Sequence, residues 1–291
     1  MSAKQLCIGL LLMAMGGVFG AEAPAGTGDL HSDIQYGEAG GEKLLLDANV
    51  PAGAGSFPVL ILVHGGGWGS GDKEGDLVPA IGSVISGNFT WFSINYRLAP
   101  KDQWPACFDD VQTAIRWVKA HAAEYKGDPS RIALVGYSAG GELVCLAGVR
   151  ADADTRVQAV VGFAPPTDMP ADTQRRGNLL SKSLQALFGH SPTVDAGTMK
   201  SMVEMSAIDY IYPGLPPFLL IHGTADQSVP YNQSINFKAK LEANKIPCQL
   251  ITIQGATHKL AEWDKFDPTY KDQFIAWLKQ ALGAAQAVKQ Q

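Results

Sequence analysis

Residues 131–151, RIALVGYSAGGELVCLAGVRA, constrain the fold more than any other stretch of the chain. Residues 132–135 form an unbroken apolar run of the kind buried as a strand, and a helix-compatible segment follows Gly140 and Gly141. Between them, Gly136-Tyr137-Ser138-Ala139-Gly140 fits the pattern G-x-S-x-G. A strand that becomes a helix within so few residues needs small neighbours around the serine, because the two backbones nearly touch. Such a turn pushes Ser138 out at the carboxyl end of a sheet. There it meets a helix amino terminus, whose unpaired N–H groups favour developing negative charge. A glycine-rich loop matches the pattern by chance often enough; the strand before and the helix after set this one apart.

The rest of the chain supplies the partners such a strand needs. Residues 36–50 read as a hairpin, with Gly40 and Gly41 at its turn. Short apolar runs at 59–63, 91–94, 157–161, 218–221 and 250–253 each fit a strand buried on both faces, as parallel sheets require. Val111, Ala114, Ile115, Val118 and Ala122 recur at helical spacing, as do Phe274, Trp277, Leu278 and Leu282. Residues 231–244 alternate like a strand, but Pro230 ahead of them and their Lys, Leu, Glu and Ala content favour a helix. Strands alternating with helices predict an α/β fold with a mostly parallel, doubly wound sheet. Residues 168–217 break that rhythm and are expected to form a small cap insertion over the sheet edge. Residues 283–291 are expected to be a loose tail.

A serine hydroxyl is a poor nucleophile at neutral pH, so it needs a base, a group that orients the base, and donors for the oxyanion. On a strand–turn–helix serine the expected chain order is serine, acid, histidine. His258 follows the last apolar run across a glycine-containing turn and is the candidate base. Asp226, just past the run at 218–221, is the candidate acid; Asp168 and Asp209 are the alternatives, at positions better suited to local caps. His64 and His222 end strands and are expected to hold loops. Val63-His64-Gly65-Gly66-Gly67-Trp68 follows an early strand directly, and its glycines let backbone N–H groups approach a reacting carbonyl. Gly66, Gly67 and Ala139 are the candidate oxyanion hole, with the register of the two donating glycines open by one position. Trp68 and Tyr137, beside these loops, are the candidate substrate-binding aromatics. Trp104, Met169 and Trp263 fit the core as well as a pocket.

Six motifs now stand in order: HGGGW at 64–68, GDK at 71–73, NYRLAP at 95–100, GYSAGG at 136–141, HGTADQSVP at 222–230 and GATH at 255–258. With them the chain resembles α/β-hydrolases of the hormone-sensitive-lipase-like esterase group. Within that group it is most similar to bacterial carbohydrate esterases, a branch that includes acetyl xylan and feruloyl esterases. The resemblance spans roughly residues 58–258. It implies an α/β-hydrolase fold over residues 21–291 and a serine carboxylesterase acting through an acyl-enzyme. The implied substrates are small acyl esters, among them acetyl or feruloyl groups on plant polysaccharide, and no metal or organic cofactor is implied. It also implies that Arg97 and Asp110 form a structural ion pair steadying the NYRLAP loop. Glu142 and Lys259-Leu260 stand where relatives often carry other residues. Two alternatives use the same residues. A serine peptidase or amidase of this fold would be expected to carry a large additional domain, and a non-catalytic binding relative to lack a triad member.

The 291 residues carry a formal net charge of −5 with no basic cluster, which argues against nucleic acid and anionic membrane surfaces as partners. Residues 1–20 have the pattern of a secretory signal: Lys4, an apolar core at 8–15, and Val18-Phe19-Gly20 before the expected cleavage. That core is well short of the roughly 20 residues a spanning helix needs, so no stable membrane anchor is expected. Export to the periplasm or beyond follows from the same segment. Cys107, Cys145 and Cys248 remain after cleavage, an odd number without metal-ligand spacing; an exported protein could bridge two of them, and buried single thiols are the expected state.

Overall fold

In the computed structural model, which describes residues 28–189 and 192–287, Gly40 and Gly41 turn β1 (Asp29–Ala39) back onto β2 (Glu42–Val50). Residues 1–20, the expected signal, lie outside the described residues. The chain continues through β3 (Phe57–Val63), α1 (Leu77–Ile85), β4 (Thr90–Ile94), α2 (Ala106–His121) and β5 (Gly127–Tyr137). Next come α3 (Ala139–Val149), β6 (Ala159–Phe163), α4 (Met169–Arg175), α5 (Lys182–Phe188) and α6 (Ala196–Glu204). It closes with β7 (Phe218–Gly223), α7 (Asn232–Ala243), β8 (Cys248–Ile253) and α8 (Tyr270–Ala287). The eight strands form one sheet in the order β1-β2-β4-β3-β5-β6-β7-β8. β2 runs antiparallel to both its neighbours, β1 and β4; β3 to β8 pair with one another in parallel.

The unbroken apolar runs are explained by period-two geometry with cover on both sides. In β3, Val59, Ile61 and Val63 pack into one core while Leu60 and Leu62 pack into the other. In β5, Ile132 and Leu134 part from Ala133 and Val135 in the same way. One core is roofed by α2, α3 and α7, through Val111, Leu143 and Phe237; the other by α1 and α8, through Ile81 and Phe274.

The structure departs from these readings at several points. β6 begins at Ala159 rather than Val157. β8 is one of the two edge strands; Gln249 and Thr252 are exposed, and the strand is not buried on both faces. α1, carried by Leu77, Ile81 and Ile85 at successive turns, is an element that sequence reading missed. Of the loose tail expected over residues 283–291, the part to Ala287 is helical and residues 288–291 lie outside the described residues. Buried Leu278 and Leu282 anchor that helix, and extending it through alanines costs far less than starting a new one. Residues 231–244 are helical as expected, burying Phe237 and Leu241 and exposing Ile235.

Between β6 and β7, the Ser, Thr and Asp residues that break the strand–helix rhythm are helix caps. Asp168 accepts from the Ala171 amide (2.9 Å), Ser181 from that of Leu184 (3.2 Å), and Asp195 forms a capping box with Thr198. Cys107, Cys145 and Cys248 are free thiols, the first two buried and the third half-buried.

Two motifs of the sequence brace the sheet. Lys73 of GDK is buried and its Nζ lies 3.0 Å from Asp47 and 3.1 Å from Asp33, tying its loop to the hairpin. Arg97 of NYRLAP grips Asp110 through Nε (2.9 Å) and Nη2 (2.7 Å), and its backbone amide donates to the same carboxylate (2.8 Å). Asp110 is almost fully buried, so Asp110→Ala strips the Arg97 amide of its acceptor and leaves the guanidinium only Ala106 O (3.2 Å) and Asp102 (3.7 Å). Urea unfolding is expected to show a loss of about 3 kcal/mol or more. A loss below about 1 kcal/mol would put the pair on a par with a surface ion pair.

Candidate active site

The elbow is as tight as its glycines require. Ser138 sits between β5 and α3 at φ 54°, ψ −117°, a backbone conformation that side chains rarely adopt. A Cβ on Gly140 would come within 2.1 Å of the Val63 carbonyl oxygen, so α3 starts against the end of β3 only because that residue is glycine. Ala139 is the first residue of α3, and its amide belongs to the unpaired first turn.

The other two expected triad members come from adjacent loops. Asp226 follows β7 and His258 follows β8, and these two strands pair in parallel. The loops are stitched together by Thr224 N to Ile253 O (3.1 Å), Ala225 N to Ala256 O (3.0 Å) and Gly255 N to Thr224 Oγ1 (2.8 Å). His258 Nδ1 lies 2.6 Å from Asp226 Oδ2, and His258 Nε2 lies 2.9 Å from Ser138 Oγ. A carboxylate only accepts, so Nδ1 carries the proton and Nε2 is left to accept from the serine hydroxyl. Asp226 Oδ1 accepts from the amides of Ser228 (2.8 Å) and Val229 (2.9 Å). Burial alone would raise the Asp226 carboxyl. Hydrogen bonds from His222, His258 and the backbone outweigh it and hold the group well below the ordinary carboxylate range.

The alternative acids stand elsewhere: Asp168 caps α4, and Asp209 lies in a 3₁₀ turn at Ala207–Tyr210. His222 backs the acid. Its Nε2 donates to Val229 O (3.0 Å) and lies 3.4 Å from Asp226 Oδ2, while Nδ1 accepts from Ser234 Oγ (2.7 Å). His64 is buried, stacked on Tyr96 at 4.2 Å, with Nδ1 2.7 Å from Gly65 O. Burial pushes its imidazole below the ordinary range.

The glycine loop after β3 carries φ 107° at Gly66, 60° at Gly67 and 59° at Trp68. At Gly66 a Cβ would meet Ser70 O at 2.0 Å, so no other residue fits. Tyr96 OH donates to His64 O (3.1 Å) and Ala99 N to Trp68 O (2.9 Å), so NYRLAP holds HGGGW in place.

These parts face one cavity of about 570 Å³, lined by Gly66, Gly67, Ser138, Ala139 and His258. Trp68 and Tyr137 line it too, and Tyr137 stacks on His258 (5.2 Å) while its hydroxyl donates to His258 O. Met169 also lines the cavity, whereas Trp263 is fully buried and donates to Thr257 O, and Trp104 packs on Phe108. Sequence reasoning missed Asp76, Asp172 and Arg176 on its walls. Asp76 accepts from Gly65 N (3.2 Å), and Arg176 Nη2 reaches Ser228 O (3.1 Å) beside the acid. Asp76 has φ 40°, but nothing local in the sequence signals either contact. A cavity of about 630 Å³ opens at the opposite, amino-terminal edge of the sheet near Pro217, Pro247 and Trp277, away from Ser138 and His258. Among the described residues no group of three or more His, Cys, Asp or Glu side chains could hold a metal ion, and no helix is long and apolar enough to cross a membrane.

Residues 46–241 match the BD-FAE family. The chain is 34% identical over 226 residues to the probable carboxylic ester hydrolase LipM of Mycobacterium tuberculosis, covering 72% of this chain and 51% of that protein. It is 35% identical over 223 residues to the esterase LipQ of the same organism, covering 72% and 52%. The chain thus spans about half the length of the curated relatives it matches. Among solved structures, a truncated carbohydrate esterase from gut microbiota superposes with a TM-score of 0.78 at 24% identity, covering 90% of this chain and 99% of that one. An acetyl ester-xyloside bifunctional hydrolase from Caldicellulosiruptor lactoaceticus gives 0.72 at 22%, covering 87% and 96%. At those identities the likeness is one of fold, and the fold is that of the α/β-hydrolases.

Proposed function

The chain belongs to the BD-FAE family, and from that premise we propose that it is an exported serine carboxylesterase acting on small acyl esters of a hydroxyl-rich alcohol. The observation that carries the reading is the unbroken line of contacts from Ser138 Oγ through His258 to Asp226. His258 Nε2 takes the serine proton as Oγ attacks the ester carbonyl, and the amides of Gly66, Gly67 and Ala139 receive the oxyanion. The alcohol leaves with that proton, and water then releases the acid from the acyl-serine. Asp226 stays ionised throughout, holding the imidazole in the useful tautomer and stabilising its charged form.

The substrate class is supported by the cavity walls. Asp172, Arg176, Ser181, Ser183 and Gln227 give the cavity polar walls, which suit a sugar better than a lipid chain. Acetyl esters of carbohydrate agree with the names of the structural neighbours, and feruloyl esters of polysaccharide are the other member of the proposed substrate class. Export is supported by the composition of residues 1–20.

One substrate series tests the proposal: p-nitrophenyl acetate, longer p-nitrophenyl acyl esters, methyl ferulate, acetylated xylan and an acyl anilide. The expected order places acetyl or feruloyl esters at least about 10-fold in kcat/KM above acyl chains of eight carbons or more, with acetate or ferulate released from the natural-type substrates. An anilide hydrolysed faster than any ester would favour the peptidase alternative and overturn this one.

A further inference from the structure

Glu142 lies in the first turn of α3, four residues beyond Ser138, and is wholly buried. Its Oε2 accepts from the indole Nε1 of Trp68 at 3.0 Å, and its Oε1 has no hydrogen-bond partner among the described residues. Burial pushes this carboxyl far up, toward the neutral acid, against the opposing pull of the Trp68 donor. A buried acid with an orphaned oxygen is costly to keep, and a leucine would fill the same space without that cost.

What Glu142 touches supplies the reason. Trp68 is a bulky residue at positive φ, directly after Gly66 and Gly67, which are also at positive φ. A side chain of that size stays in the left-handed region only where its surroundings impose it. Its backbone is tethered by Ala99 N and its side chain by Glu142. The oxyanion donors come from two separate elements: Gly66 and Gly67 from the loop after β3, Ala139 from the start of α3. The Glu142–Trp68 hydrogen bond joins those two elements.

We propose that Glu142 is a positioning residue for the reaction: through the Trp68 indole it sets the Gly66-Gly67 amides at a fixed separation from that of Ala139, so that all three meet one oxygen. This rests on the esterase reading of the same site.

Three variants test it, each first checked for a folded state by circular dichroism and thermal unfolding. Glu142→Leu is expected to lower kcat on p-nitrophenyl acetate by about 10- to 100-fold, with KM changed less than about 3-fold, because the oxyanion forms only after binding. Glu142→Gln keeps a neutral acceptor for the indole and is expected to recover kcat to within about 3-fold of wild type. Trp68→Phe removes the donor from the cavity side, so it probes the same bond should Glu142→Leu fail to fold. It is expected to lower kcat similarly, and the double variant to be no slower than about the worse single one. A folded Glu142→Leu or Trp68→Phe protein with wild-type kcat overturns the inference. So does a glutamine variant as slow as the leucine one, or losses that multiply in the double variant. If wild-type protein hydrolyses no ester, the esterase reading itself has failed; if it does and the leucine variant matches it, only the role of Glu142 has.

Discussion

Ser138→Ala is expected to lower kcat by about 10⁴-fold or more on any ester the protein turns over, because triad members act as a unit and the rest of the site cannot replace a missing nucleophile. KM should change little, since the cavity walls and the glycine loop remain. The substitution keeps the Cβ, so the strain at φ 54° and the packing of the elbow are the same in both proteins. The loss is therefore chemical and not one of folding. Single-turnover measurements with p-nitrophenyl acetate supply the check: wild type releases p-nitrophenol as the acyl-serine forms, and the variant does not. Near-normal turnover in the variant would remove Ser138 from the mechanism.

Asp226→Asn is expected to cost on the order of 10⁴-fold in kcat, for a reason the hydrogen bonds spell out. Oδ1 accepts two backbone amides, from Ser228 and Val229, so the asparagine carbonyl is drawn to that position. Its NH₂ group then faces His258 Nδ1, where the carboxylate Oδ2 now lies at 2.6 Å. A donor there forces Nδ1 to accept, which moves the imidazole proton to Nε2. The nitrogen 2.9 Å from Ser138 Oγ then has no lone pair with which to take the serine proton. Asp209→Asn, on a turn away from these contacts, is expected to leave kcat within about 3-fold of wild type. If Asp209→Asn is the variant that loses activity, Asp226 is not the acid.

Much of this site is legible in the chain because its members follow strands. Ser138, Asp226 and His258 each come a few residues after an apolar run, and neighbouring parallel strands deliver their trailing loops to one edge. The oxyanion loop is legible for the same reason, and because positive φ at Gly66 admits only glycine there. Legibility fails where a contact joins elements that no pattern connects. Arg176 reaches from the end of α4 to Ser228, 52 residues away, and Asp76 reaches back 11 residues to Gly65. α1 went unread although Leu77, Ile81 and Ile85 mark one face, since the helix is short and flanked by glycine and aspartate. The edge position of β8 was equally hidden: an apolar run says that a strand is covered, not where in the sheet it lies.

By itself the sequence determined the hairpin turn, the two-sided strands, the strained elbow and the order of the catalytic candidates. Each depends on stereochemistry within a few residues, and a glycine or an alternating run carries that information wherever the rest of the chain goes. Only the tertiary structure decided that Asp226 rather than Asp168 or Asp209 meets His258, that Met169 joins the cavity and Trp263 does not, and that Glu142 is buried beneath Trp68. The first and last of those turn on hydrogen bonds of 2.6 and 3.0 Å between residues 32 and 74 positions apart. At that range a shift of one ångström makes or breaks the contact, and only the packing of whole helices against the sheet sets positions that finely.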